Sequence, residues 1–106
     1  MADKLAAMRV FPSGPEKGYD LDVKQVSGGL LLVSNFTVSA ATSRGRRPGF
    51  DAAMRPELAK SAFERFVTFA RNTGVPIATG EFGADMRVHI VNDGPLTLIL
   101  DSRRRE

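Results

Sequence analysis

The chain has 106 residues, 42% hydrophobic and 25% charged, which is an ordinary soluble globular composition, and its length predicts a single domain, residues 1–106. The lack of cysteine excludes disulfides, thiol nucleophiles and zinc–thiolate sites, and a single histidine, His89, argues against a histidine-based metal centre. The net charge of +3 leaves two interpretations open, a polyanionic partner and a solvated basic surface.

Arginine outnumbers lysine and is concentrated in two clusters, RGRRP (Arg44, Arg46, Arg47) and the tail SRRRE (Arg103, Arg104, Arg105). No stretch is long and apolar enough to cross a membrane, and the N-terminal MADKLAAMRVF lacks the pattern of a signal peptide. We therefore expect a cytoplasmic protein with no membrane partner.

The first third of the chain predicts little regular structure. Residues 3–9 are typical of the end of a short helix, and the Pro- and Gly-rich stretch FPSGPEKGYD, residues 11–20, predicts a loop. LDV, residues 21–23, predicts a brief strand, and the pair Gly28–Gly29 predicts a turn.

The stretch LLLVSNFTVSA, residues 30–40, is the strongest strand candidate. It opens as a continuous apolar run, as in a strand buried on both faces. Ser34, Asn35 and Thr37 then interrupt it, so this end is expected to leave the core. These polar groups predict either a substrate site, with strand N–H groups around an oxyanion, or a strand end with its own hydrogen bonds; composition alone favours the second.

The clearest helix is predicted in RPELAKSAFERFVTFARNTGVP, after the Arg-rich loop ATSRGRRPGFD. Pro56 suits a first helical turn, Gly74 suits the C-terminal end, and Pro76 prevents continuation. The apolar residues recur at helical spacing and predict one core-facing side: Leu58, Ala59, Ala62, Phe63, Phe66, Val67 and Ala70.

The C-terminal part predicts strands. VPIATGEF predicts a short one, DMRVHIVN alternates as a strand does, and a turn at residues 92–94 leads into LTLIL. The whole pattern predicts an α+β fold with a largely antiparallel or mixed sheet and one long amphipathic helix. Gly94–Pro95 is either an edge-strand turn or a functional piece of backbone.

Residues alone identify no catalytic triad, no Walker loop and no acidic cluster with metal-ligand spacing. His89 lies in the middle of a predicted strand, where a structural histidine is the commoner outcome than a catalytic one. We therefore expect neither a metal nor a cofactor.

Two motifs and the helix between them resemble the D-aminoacyl-tRNA deacylases, also called D-tyrosyl-tRNA deacylases. The family's S-Q-x-x-T strand and the Arg-rich loop after it are similar to VSNFTVSAATSRGRRPGF in this chain. The family's hairpin, which contains N-x-G-P-[VL]-T, is similar to TGEFGADMRVHIVNDGPLTLILD. MRVFPSGPEKGYDLDV resembles the segment after the family's first helix. The similarity runs over essentially the whole chain, in the right order.

The resemblance implies a barrel-like sheet and a homodimer that hydrolyses the ester of D-aminoacyl-tRNA, and of glycyl-tRNA mischarged on tRNA(Ala). It implies that Gly94 and Pro95, joined by a cis bond, enter the neighbouring subunit's site and select against L-amino acids. It also implies a catalytic role for Ser34, Asn35, Phe36 and Thr37. Phe82, Ala84 and Met86 would lie around the terminal adenosine, and Arg44, Arg46 and Arg47 would contact tRNA phosphates.

The chain departs from the family pattern at two points. Asn35 stands where the family has Gln, and the chain lacks the family's N-terminal strands, so it is expected to be truncated relative to the family. The family function has one alternative of the same fold, a catalytically impaired tRNA- or RNA-binding homologue. A third interpretation is an interaction protein whose open sheet edge pairs with a partner strand.

Overall fold

The computed structural model describes residues 1–16 and 18–103, and their fold is α+β, with two α-helices and two small sheets. The elements in chain order are α1 (Ala2–Ala7), β1 (Phe11–Pro12), β2 (Tyr19–Leu21), β3 (Leu30–Leu32), a 3₁₀ helix (Phe36–Ser39), α2 (Pro56–Asn72) and β4 (Ile77–Thr79). Within the described residues, no helix has the length and hydropathy that a membrane span requires.

β1 and β2 form an antiparallel hairpin where the sequence predicts only a loop. The loop between them is held at its base by the carboxylate of Asp20, which accepts hydrogen bonds from the Ser13 N–H (2.7 Å) and hydroxyl (2.6 Å). The Ser13 hydroxyl is the main cause of a lowered pKa at Asp20. The strand predicted at residues 21–23 ends at Leu21 instead, because Asp22 and Gln25 exchange hydrogen bonds and begin a turn there.

α2 spans 17 residues and begins at Pro56, whose missing N–H costs nothing in a first helical turn. Its residue Ala70 is the most buried of the core, at 1% exposure. α1 packs against α2, and both lie against the sheet of β3 and β4. The other core members are Ala2 and Leu32, with Leu5, Leu30, Phe63, Phe66, Val67 and Ile77 packed around them.

β3 and β4 pair in parallel, with Leu30 opposite Ile77 and Leu32 opposite Thr79. Main-chain hydrogen bonds of 2.9 Å close both ends of the pair, from the Leu30 N–H to the Pro76 carbonyl and from the Gly80 N–H to the Leu32 carbonyl. One face of this sheet is covered by the helices, whereas Leu31 on the other face is 58% exposed. Parallel sheets are normally covered on both faces, so this one has an open side.

The predicted strand over residues 30–40 is wrong beyond Leu32. Asn35 has extended backbone angles, and its side chain accepts a hydrogen bond from the Thr37 N–H, so the chain turns into the 3₁₀ helix. A polar side chain that bonds its own backbone competes with a sheet ladder, and here it replaces the ladder.

The strands predicted in DMRVHIVN and LTLIL are also not formed. Residues 85–100 have neither a strand assignment nor a main-chain hydrogen bond to any other described residue. A strand needs a neighbour to take up its N–H and C=O groups, and this segment has none in the described part of the chain. The alternating pattern therefore leaves apolar side chains in the open: Val88, Ile90, Leu96 and Leu98 are 47, 67, 40 and 53% exposed.

The molecule as a whole exposes far more surface than its mass requires. Its accessible surface is 9259 Å² and its mass 11.5 kDa. A compact monomer of this mass exposes roughly 5,800 Å², so the excess is on the order of 3,500 Å². The radius of gyration, 15.9 Å, likewise exceeds the about 13 Å typical of a compact domain of this length. The fold therefore exposes more surface than a compact domain of this mass, and many large apolar side chains contribute to it.

We expect this open segment to be visible in hydrogen exchange. In dilute protein, the amides of residues 86–91 and 96–100 should exchange at least about a hundredfold faster than those of residues 62–70 in α2, because only the latter are hydrogen-bonded and packed. Amide exchange read by mass spectrometry measures the contrast. Equal protection of both segments, in a sample that light scattering shows to be monomeric, would contradict it.

Candidate functional site

A cleft of about 1150 Å³ opens where β3 and β4 end. Because the two strands are parallel, their carboxyl ends lie at the same edge of the sheet, and the segments that follow them emerge side by side. Residues 33–37, after β3, form one wall, and residues 82–86, after β4, form the wall opposite. The N-terminal half of α2 closes the third side through Pro56, Ala59 and Phe63.

The polar end of the cleft is built on Asn35. Its side-chain oxygen accepts hydrogen bonds from the Thr37 N–H, at 3.0 Å, and from the Thr37 hydroxyl. At the other end of the 3₁₀ helix the Ser39 hydroxyl donates to the Phe36 carbonyl at 2.8 Å. Side chains thus hold this short helix at both ends.

Two pairs of aromatic rings form the apolar walls. The Phe36 ring meets Phe50 edge-to-face, with centroids 5.1 Å apart and planes at 70°. Phe63 of α2 meets Phe82 at 6.3 Å with a tilt of 36°. Such pairs contribute about 0.5–1.5 kcal/mol beyond the area they bury, and here all four rings line the cleft.

Met86 reaches the cleft across a glycine. A Cβ atom at Gly80 would lie 2.9 Å from the Met86 sulfur and 3.5 Å from Val33. Gly80 directly follows β4, and because it has no side chain, the side chain of Met86 can pack against the end of the sheet. A larger residue at position 80 would force Met86 to move.

The structure brings together seven of the residues that the sequence predicts for the site. All seven line the cleft: Ser34, Asn35, Phe36, Thr37, Phe82, Ala84 and Met86. Gly94 and Pro95 do not line it. Their peptide bond is cis, Gly94 has φ +110°, and both residues are exposed. His89 is exposed as well and is not a lining residue.

The Arg-rich loop lies beside the cleft rather than in it. Ala41 and Gly49 exchange main-chain hydrogen bonds of 2.7 and 2.8 Å and so close the loop at its base. Arg44, Arg46 and Arg47 are exposed within it, and Phe50, the next residue after the base, lines the cleft. In the tail cluster, Arg103 contacts Asp101 at 3.5 Å, and the predictions for Arg104 and Arg105 lie outside the described residues.

Several lining residues were not found by sequence reasoning. Arg55 and Asp85 are the charged ones, and Phe50, Met54, Phe63 and Val88 complete the apolar walls. The helical spacing identified Phe63 only as a core residue. Asp85 and Val88 lie in the alternating stretch after β4, and the others precede α2, but neither position indicates a cleft, so only the tertiary structure assigns these residues to it.

The chemical character of the cleft follows from this lining. It joins an apolar compartment with aromatic walls to a polar end that carries hydroxyl, carboxamide and main-chain groups. In the described part of the chain, no group of three or more His, Asp or Glu side chains is close enough to hold a metal ion. The arrangement is suited to binding a planar group with a polar, reactive end and to positioning that end.

Comparison with known proteins identifies the family. The sequence model of the family "D-Tyr-tRNA(Tyr) deacylase" matches residues 1–101. The chain belongs to this family. It is 50% identical to the D-aminoacyl-tRNA deacylase of Geobacter metallireducens, over 96% of this chain and 67% of the relative. It is 48% identical to that of Geobacter sulfurreducens, over 99% of this chain and 68% of the relative.

A solved structure has the same fold. The "c-Myc DNA Unwinding Element Binding Protein" superposes with a TM-score of 0.85 and 35% sequence identity, over 97% of this chain and 70% of that one. The chain thus spans about two thirds of the length of the relatives it matches.

Proposed function

We propose that this member of the D-Tyr-tRNA(Tyr) deacylase family hydrolyses the ester that joins a D-amino acid to tRNA, and releases the free amino acid and the tRNA. One observation carries the proposal: the parallel pairing of β3 and β4 joins residues 34–37 and 82–86 in a single cleft. The relatives that share this sequence over most of the chain are named D-aminoacyl-tRNA deacylases.

The cleft suits the 3′ end of an aminoacyl-tRNA. The terminal adenine is a flat ring, and the walls formed by Phe36 with Phe50 and by Phe63 with Phe82 offer surfaces on which a base can stack. Ala84 and Met86 border the same compartment. With the base between these walls, the ribose and its ester point towards Ser34, Asn35 and Thr37.

Water is the nucleophile in this proposal. The Thr37 hydroxyl donates its proton to the side-chain oxygen of Asn35, and a carboxamide is not a base that could activate it. Water adds to the ester carbonyl carbon with help from the ribose hydroxyl, and the carbonyl electrons move to oxygen. Collapse of this intermediate breaks the bond to the ribose oxygen, which takes up the proton from water. An aminoacyl ester is labile, so positioning and charge stabilisation suffice and no cofactor is needed.

In this proposal the N–H groups of Phe36 and Thr37 are the candidates to face the developing oxyanion, and one of them already has an acceptor. The Thr37 N–H donates to Asn35 at 3.0 Å. The Phe36 N–H has no acceptor among the described residues, so it is the main-chain donor available to a developing oxyanion.

Chirality is checked, in this proposal, by Gly94 and Pro95 of a second copy. Main-chain carbonyls on this turn would hold the substrate's amino group. An L side chain would then collide with the backbone of the turn, whereas a D side chain would point away from it. Glycine has no side chain that could collide. The exposed position of the turn, outside its own cleft, is compatible with insertion into a neighbour. The exposed apolar side chains Val88, Ile90 and Leu98 support a homodimer, because a second copy would cover them.

A second candidate function is nucleic-acid binding without turnover. It is favoured by the exposed arginines of the loop over residues 41–49 and by the similar solved protein, which is named for binding a DNA element. Such a module would keep the salt-dependent affinity for tRNA and lack deacylation.

The first experiment compares D-Tyr-tRNA and L-Tyr-tRNA. With the protein at micromolar concentration, we expect the D ester to be lost at least tenfold faster than the L ester, because only the D side chain avoids the backbone turn; roughly tenfold corresponds to 1.4 kcal/mol. Acid-gel analysis of the remaining aminoacyl-tRNA measures both rates. Tight tRNA binding with no loss of either ester would instead support the nucleic-acid-binding alternative.

The substitution Gly94→Ala tests the turn. Gly94 has φ +110°, a conformation that costs an L-residue about 1–3 kcal/mol, so alanine should displace the turn. We expect the preference for D over L to fall roughly tenfold or more while α2 keeps its circular dichroism. Gly18→Ala is the matched control, because a Cβ atom there meets nothing within 4 Å. If the Gly94→Ala protein kept its preference for the D ester, the turn would not be the group that discriminates between D and L substrates.

The loop arginines are tested together. Replacement of Arg44, Arg46 and Arg47 by Gln should weaken tRNA binding and lower the slope of log affinity against log salt by roughly 2–3, about one for each lost phosphate contact. Filter binding between 50 and 200 mM salt measures the slope. The control changes Arg9, Arg65 and Arg71, which are exposed outside the loop and the cleft, to Gln. An equal effect of both triple variants would mean that only net charge matters.

A further inference from the structure

A second, smaller cavity lies beside the cleft. Its volume is about 320 Å³, and it extends along α2 from Lys60 to Val67 and along the chain from Thr79 to Phe82. Phe63 and Phe82 line this cavity and the cleft alike, so the pair of rings is a boundary that the two spaces share. Sites for small molecules measure roughly 300–1,000 Å³, which makes this cavity large enough for one nucleobase and too small for an extended ligand.

The lining of the second cavity combines aromatic rings with free charges. Phe63, Val67 and Phe82 are half-buried and form its apolar part. Lys60, Glu64 and Glu81 are exposed and form its charged part. The charged groups of these three residues form no ion pair in the described part of the chain, so they are available to a ligand.

This lining favours a nucleobase that presents an amino group. The bases of single-stranded RNA ends are bound by stacking on aromatic side chains and by hydrogen bonds to their edges. Two carboxylates against one ammonium give the cavity a net negative charge, which disfavours a phosphate and favours N–H donors. The cytosine amine is such a donor, and carboxylates accept from it. Uracil carries a carbonyl oxygen at the same place and has nothing to donate there.

We propose that the second cavity binds the cytosine that precedes the terminal adenosine of tRNA. Every tRNA ends in CCA, so with the adenine in the cleft this cytosine is the next base along the strand. Glu64 and Glu81 accept hydrogen bonds from its amine, while its ring stacks on the shared phenylalanine pair. Lys60 directly follows Ala59, a cleft residue, and contacts the phosphate between the two nucleotides. The inference rests on the proposed function, because it takes the adenosine to lie in the cleft.

Three non-hydrolysable ligands test the subsite. In each, D-tyrosine is joined through a 3′-amide to a terminal adenosine, which is free, preceded by cytidine (CpA) or preceded by uridine (UpA). We expect the CpA ligand to bind at least about tenfold more tightly than either of the others, because only cytosine both stacks and donates to the carboxylates. Isothermal titration calorimetry measures the three dissociation constants.

The outcomes separate this inference from the proposed function. A protein that prefers CpA but does not deacylate D-Tyr-tRNA would retain the subsite and refute the proposed function. Conversely, deacylation without any gain in affinity from adenosine to CpA would overturn the subsite alone. Equal binding of CpA and UpA would overturn the assignment to cytosine.

Variants of the charged residues identify the groups that read the base. In the double variant Glu64→Gln with Glu81→Gln, the side-chain amides can donate to uracil, so the preference for CpA over UpA should fall below about twofold. Glu57→Gln is the matched control, because Glu57 is exposed on α2 outside both cavities, and it should keep the preference. Lys60→Gln should weaken CpA and UpA equally and leave the adenosine ligand unaffected. A double variant that still prefers CpA tenfold would contradict the role of the carboxylates.

Discussion

The parallel pairing of β3 with β4 is the constraint on which the rest of the structure depends. It joins segments that lie more than forty positions apart in sequence, with Leu30 opposite Ile77. α1 and α2 pack on one face of this pair, and the segments that follow the two strands form opposite walls of the cleft. If the pairing were antiparallel, the strand ends would lie at opposite edges, and Asn35 and Phe82 would not face one space.

The same pair of strands explains why the molecule is open. Among the described residues no third strand pairs with β3 or β4, and Leu31, on the face away from the helices, is 58% exposed. Residues 85–100 expose apolar side chains and make no main-chain hydrogen bonds within the described residues. Because Val88 of this segment also lines the cleft, whatever covers the segment would contribute to the environment of the cleft.

The polar end of the cleft illustrates how short-range side-chain hydrogen bonds can end a strand and begin a 3₁₀ helix. Asn35 satisfies the Thr37 N–H and hydroxyl, and in doing so it ends the sheet ladder and begins the 3₁₀ helix. The bond that ends the strand also orients the carboxamide. The local structure at the polar end of the cleft therefore depends on one side chain.

The sequence by itself determined the helix around residues 56–72, the exit of the polar residues after Leu32, and, through its motifs, the family. These features depend on neighbours within a few positions, where spacing, Pro56 and side-chain bonding act directly. Only the tertiary structure decided the pairing of β3 with β4, the β1–β2 hairpin, and the places of Phe50 and Arg55 in the cleft. It also decided that the alternating stretch after residue 85 stays unpaired, because alternation encodes which side chains share a face, whereas a strand exists only where a second backbone lies beside it.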